Sequence, residues 1–186
     1  MKTQSSQIRI PMLERDQVVP ELVPLYDALL SQRGVVPNMF KTVANTPQLA
    51  LAFAGLLKVL LGDGALPGWY KELVATRLSV LLGSSYAVAG HSLSARQKGA
   101  SEEQIAAAKG DFEQGPFTEA EKLGLRAADR IHRSAQELDD LFFAELKGKL
   151  SDAQILELLA TASAFEFFPR FVDSLRIPMT PPPKKD

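Results

Sequence analysis

Apolar residues recur at intervals of three and four along most of this chain, the spacing that places them on one face of an α-helix. Leu49, Phe53, Leu56, Leu57 and Leu60 form one such stripe, and Leu73, Val74, Leu78 and Leu81 form the next. Leu123, Ala127 and Ile131 mark a helix over Ala120–Arg133; Leu138, Leu141, Phe142 and Leu146 mark one over Gln136–Leu146. The stretch from Asp152 to about Leu175 is apolar on several sides, with Ile155, Leu158, Leu159, Ala162, Phe165 and Phe168. No strand-like alternation with turn signals and no fixed-period repeat occurs in the sequence. The pattern predicts an all-α, multi-helix bundle of about eight or nine helices.

Proline and glycine divide these stripes. Pro20 opens a helix over Glu21–Gln32 that Gly34 ends; Pro37 opens a short helix through Ala44, and Pro47 opens the next, which Gly62-Asp63-Gly64 stops. Pro67 starts a helix closed by Gly83, so a pair of helices is expected at 67–82 and 84–98, with Gly99 ending the second. Three later helices carry capping boxes: Ser101 with Gln104, Thr118 with Glu121, and Ser151 with Gln154. Pro169 is expected to kink the last helix or split it. Residues 1–19 form an N-terminal extension, 20–178 a single helical domain, and the proline-rich, polar segment 179–186 a disordered tail.

Composition narrows the function classes. A chain of 186 residues suffices for one well-buried domain. Hydrophobic residues at 46% and charged residues at 23% are ordinary for a globular protein, and a net charge of −1 points to neither nucleic acid nor an anionic membrane as partner. No apolar run is long enough to cross a bilayer. No apolar segment of secretory type follows Met1, so a cytoplasmic location is expected. The sequence has no cysteine, which excludes disulfides and thiolate metal ligands.

Candidate chemistry concentrates in residues 72–91. Ala87 and His91 are four residues apart and share a helix face, and Glu72 lies one helix back, able to fold against that face if the two helices form a hairpin. A carboxylate beside an imidazole fixes its tautomer and suits it to general-base or proton-relay work. Each residue also has a structural reading. His91 could be a packed histidine, Glu72 a favourable charge near a helix start, Ser84 and Ser85 caps, and Tyr86 core. His132, between Arg130 and Arg133, reads as a solvated face; Phe165, Phe167, Phe168 and Phe171 read as core or subunit interface. Two histidines in separate helices give little support for a metal, and Gly62-Asp63-Gly64 matches neither nucleotide-binding fingerprint.

Several segments resemble one superfamily. Val36-Pro37-Asn38-Met39-Phe40, Glu72-Leu73-Val74, the run Gly83-Ser84-Ser85-Tyr86-Ala87-Val88-Ala89-Gly90-His91, the continuation from Ser94 to Ile105, and Arg170 to Pro178 are similar to segments of the alkylhydroperoxidase D and carboxymuconolactone decarboxylase superfamily. The resemblance covers about residues 20–178. It implies an all-α bundle of the alkylhydroperoxidase D-like type, assembled as a homo-oligomer (dimer, trimer or hexamer). In redox members it implies a helix-borne dithiol, with a glutamate and a histidine relaying protons. Glu72 and His91 match the relay positions, whereas Ser84 and Ala87 stand where the two cysteines would be. A serine hydroxyl cannot form a disulfide and Ala87 has no functional group, so dithiol peroxidase chemistry is excluded. The decarboxylase branch works without the dithiol, on a carboxylated lactone, by acid–base chemistry. The resemblance therefore implies a cofactor-free enzyme acting on a small-molecule substrate, with Glu72 and His91 catalytic and Ser84, Tyr86 and Ala87 lining the pocket. The alternative is a catalytically inactive relative that serves as a binding or structural protein.

Overall fold

The computed structural model describes residues 7–182. Residues 1–6 of the expected extension and 183–186 of the expected disordered tail lie outside the described residues. Nine α-helices and three short 3₁₀ turns occur among the described residues, with no strand. The helices are α1 (Val23–Arg33), α2 (Asn38–Val43), α3 (Pro47–Leu61), α4 (Gly68–Leu81), α5 (Ser85–Gln97), α6 (Glu102–Lys109), α7 (Glu119–Arg133), α8 (Asp140–Lys149) and α9 (Asp152–Ser174).

Local signals set most boundaries. Gly34 ends α1 in the left-handed conformation at φ 68°. In all three predicted capping boxes the hydroxyl accepts the third residue's N–H and that residue's side chain accepts the cap's own N–H. One expectation needs correction, and one of the two outcomes expected at Pro169 does not occur. The helix expected from Gln136 begins instead at Asp140, because Asp139 accepts the Phe142 N–H at 2.8 Å and residues 135–137 form a 3₁₀ turn. Pro169 does not split the last helix. It removes the bond that would reach the Phe165 carbonyl, yet α9 continues through it to Ser174, anchored on both sides by buried Phe165, Phe168 and Val172.

The chain forms two compact units. Among the described residues, one comprises 7–57 together with 171–182. In it the buried Tyr26 hydroxyl donates to the Leu13 carbonyl at 2.9 Å, and Phe171 meets Phe53 edge to face at 5.6 Å. Buried Asn38 donates from its side-chain amide to the carbonyls of Pro178 and Met179, each at 3.1 Å, and its backbone N–H reaches the Thr180 hydroxyl at 3.0 Å.

The second unit, Lys58–Arg170, is built around α4. This helix packs most extensively on α5, then on α7 and α6. Leu73, Val74 and Leu78 are fully buried, as the stripe predicts, while Leu81 is only half-buried; Ala75, Glu72 and Thr76 are fully buried too, and Lys71 nearly so. A helix enclosed on every side must supply a partner for each polar group it carries. Lys71 donates to Glu157 at 2.9 Å, and Arg77 makes a two-pronged pair with Asp129 at 2.6 and 2.8 Å. The Thr76 hydroxyl donates to the Glu72 carbonyl, the Ser79 hydroxyl to the Ala75 carbonyl, and the Tyr70 hydroxyl to the Glu121 carbonyl at 2.6 Å. Glu157 accepts from Ala65, Leu66 and Lys71 and thereby pins the loop between α3 and α4. Its burial opposes ionisation, but these donors hold its pKa down at about 2. Close approach is tightest at Gly124 of α7, where a Cβ would collide with the Tyr70 hydroxyl and with Leu158.

Candidate functional site

Two helix ends position the site. At the end of α4, Gly83 takes φ +70°, the Ser84 N–H donates to the Ser79 carbonyl at 2.9 Å, and the Gly83 N–H donates to the Val80 carbonyl at 3.0 Å. This Schellman closure needs a left-handed residue, which explains the glycine. The chain then reverses and α5 runs back along α4. α5 ends in the same way: Gly99 takes φ +106°, with Ala100 N–H on the Ala95 carbonyl at 3.0 Å and Gly99 N–H on the Arg96 carbonyl at 3.1 Å. The hairpin sets Glu72 of α4 against His91 of α5 and Lys98 at its C-cap.

The Glu72 carboxylate is fully buried. Its Oε2 lies 2.7 Å from His91 Nδ1, and its Oε1 accepts from Lys98 Nζ at 2.6 Å. The same ammonium donates to the Leu61 carbonyl at 2.7 Å. Burial alone would raise the Glu72 pKa; the hydrogen bonds and charges of His91 and Lys98 outweigh it and hold the group below the ordinary carboxylate value. An ionised Glu72 accepts from Nδ1–H, which leaves Nε2 of the neutral ring as the accepting nitrogen. Nε2 makes no hydrogen bond to any described residue, and the His91 side chain keeps 18% of its surface exposed. Phe165 stands edge-on to the imidazole, with ring centroids 4.5 Å apart at 82°.

The other residues predicted for the site precede His91 by one to two turns. Ser84 occupies the N-cap position of α5 with an extended backbone and 1% exposure, but its side chain forms no cap hydrogen bond, in contrast to the capping role it suggests. Ala87 is buried one turn before His91, on the same face. Tyr86 is half-buried rather than core.

Sequence reasoning missed Lys98. It lies seven residues after His91, two turns along the same face, and that spacing was the available signal. It also missed what His132 does. Instead of facing solvent alone, its Nδ1 lies 2.7 Å from Glu166 Oε1, while Glu166 Oε2 accepts from Arg170 at 2.8 Å. Two cavities stand out in this unit. The larger, about 520 Å³, is lined by Arg77, Phe112, Glu113, Arg126, Asp129 and Arg130 among others. The smaller, about 380 Å³, lies between the end of α4, the first turns of α5 and Lys109. Neither is lined by Glu72 or His91.

Residues 47–130 match the carboxymuconolactone decarboxylase family model. The matched region contains the whole hairpin, Glu72, His91 and Lys98, and carries no cysteine. The fold is shared with an uncharacterized peroxidase-related protein from Silicibacter sp. TM1040, at 17% identity and TM-score 0.84 over 97% of this chain and 95% of that one. It is shared also with an alkylhydroperoxidase AhpD core protein from Ralstonia eutropha JMP134, at 18% identity and TM-score 0.85 over 93% and 92% of the two chains. The debrominase Bmp8, solved as a cysteine-to-alanine variant in complex with 2,3,4-tribromopyrrole, is 25% identical with TM-score 0.82 over 95% and 94%. No curated protein matches the chain significantly.

The Glu72 interactions carry a pH signature. Its folded pKa is lowered from 4.5, so its contribution to stability is fully present above that value and is lost as pH falls through the lower folded value. Urea unfolding from pH 7 down to pH 3 is expected to show the stability difference between wild type and Glu72→Gln constant at first, then moving against wild type below about pH 4.5. A difference that stays flat across the acid range, or moves in wild type's favour, contradicts the assignment.

Proposed function

We propose that this protein is a cofactor-free enzyme that uses Glu72 and His91 for acid–base chemistry on a small organic acid, and not a dithiol peroxidase. The observation that carries the proposal is the Glu72–His91 contact at 2.7 Å, with the carboxylate buried and the far ring nitrogen without a partner among the described residues. In this arrangement Nε2 takes a proton from substrate, and Glu72 stabilises the imidazolium that forms. Lys98 keeps the carboxylate ionised and fixed in place. For a carboxylated lactone, the substrate class of the family's decarboxylase branch, loss of CO₂ leaves a carbanion that needs one proton, and the His91 imidazolium supplies it. Ser84, Tyr86 and Ala87 belong to the substrate side of this proposal. The cysteine-to-alanine debrominase variant in complex with a brominated pyrrole supports it, since that relative holds a small ring with a cysteine removed.

The inert-scaffold reading has its own observation: Phe165 packs on His91, and neither described cavity reaches the histidine. A screen of carboxylated lactones for CO₂ release separates the two. Turnover is expected, and His91→Ala is expected to lower it about 100-fold or more, with a smaller loss for Glu72→Gln. Absence of turnover across the series, or turnover indifferent to His91→Ala, contradicts the enzymatic proposal.

Self-association is part of the same proposal. Leu56, Val59, Leu141, Leu156 and Phe167 present large apolar side chains to solvent. Light scattering at micromolar concentration is expected to give a mass at least twice 20.3 kDa, and a particle of 20.3 kDa contradicts it.

A further inference from the structure

The smaller cavity has the composition of a ligand site that the acid–base reading does not use. Ser85, Val88, Ala89 and Ser92 line it from α5, at i, i+3, i+4 and i+7, a different face from the one carrying Ala87 and His91. Val80 and Gly83 close it from the end of α4, and Lys109, the last residue of α6, reaches it from the third side. Two side chains of this wall lack the partners expected of them, and a helix N-terminus adjoins it. The Ser92 hydroxyl belongs to a residue only 6% exposed, yet it makes no hydrogen bond with the protein. A buried hydroxyl left without a partner is unfavourable, so its retention at a cavity wall points to an acceptor or donor arriving from outside. The Lys109 ammonium makes no hydrogen bond or ion pair with any described residue. The 13-residue helix α5 begins at this cavity with no side-chain cap from Ser84, and helix N-termini favour negative charge through their N–H groups and dipole.

The remaining wall is apolar, from Val80, Val88 and Ala89. A free inorganic anion would gain nothing from it. We infer that this cavity binds a small organic carboxylate, its carboxylate held by Lys109 and the hydroxyls of Ser85 and Ser92, its body lying on Val80, Val88 and Ala89. About 380 Å³ suits a single ring or a short branched acid. The site is separate from the Glu72–His91 pair, so it stands whether or not that pair is catalytic.

The test is a ¹⁵N NMR titration of the full chain with benzoate, beside a parallel titration with inorganic phosphate. Benzoate is expected to shift the amides of Ser85, Val88, Ala89 and Ser92, and Lys109→Ala to weaken it about tenfold or more, as loss of a charge-assisted bond predicts. Ser92→Ala provides a second readout. It is expected to raise the melting temperature of the free protein by removing the unpaired hydroxyl, and to weaken benzoate severalfold. A purely structural Ser92 would leave benzoate affinity unchanged. The inference is overturned by shifts absent from this face, by affinity that survives both substitutions, or by phosphate binding as tightly as benzoate.

Discussion

The second unit depends on a single carboxylate. Glu72 sits in the second turn of a helix that is buried on every side, where an unpaired charge would be prohibitive. It persists because the next helix returns along α4 and presents a histidine to one oxygen and a lysine to the other. That condition fixes much else. The turn at Gly83 must reverse the chain tightly, α5 must be long enough to carry His91 and end at Lys98, and the lysine then reaches back to the Leu61 carbonyl at the end of α3. Removing one partner would leave a buried charge half-compensated, so hairpin packing and side-chain chemistry are one constraint.

Ser84 and Ala87 stand at positions that the Glu72, His91 and Lys98 bonds do not use. Both are buried at the start of α5. The relay geometry therefore stands without sulfur. The reversible disulfide that two sulfurs would supply, no residue of this chain supplies.

Local signals made most of the fold legible in the sequence. Pro47, Pro67, Gly34, Gly83 and Gly99, with the three capping boxes, act over a few residues and place helix ends nearly where they fall. The misplaced start of α8 shows the limit. Leu138 belongs to an apolar stripe, but the cap supplied by Asp139 outweighs the stripe in setting where the helix begins. In the site, Glu72 and His91 were legible because hairpin formation follows from two adjacent amphipathic segments. The pairs Lys71–Glu157 and His132–Glu166 join residues 86 and 34 positions apart, and nothing in local spacing reports such contacts. The orphaned Ser92 hydroxyl was equally invisible, since a missing partner is a property of the packed structure.

The central claim is that Glu72 holds His91 in one tautomer, with the proton on Nδ1 and Nε2 open to substrate. Long-range ¹H–¹⁵N NMR of the imidazole, under conditions where the ring is neutral, observes this directly. The account predicts an Nδ1–H tautomer in the wild type, and loss of that preference when Glu72 is replaced by alanine. A ring protonated on Nε2 in the wild type, or a tautomer unchanged by that substitution, would contradict it.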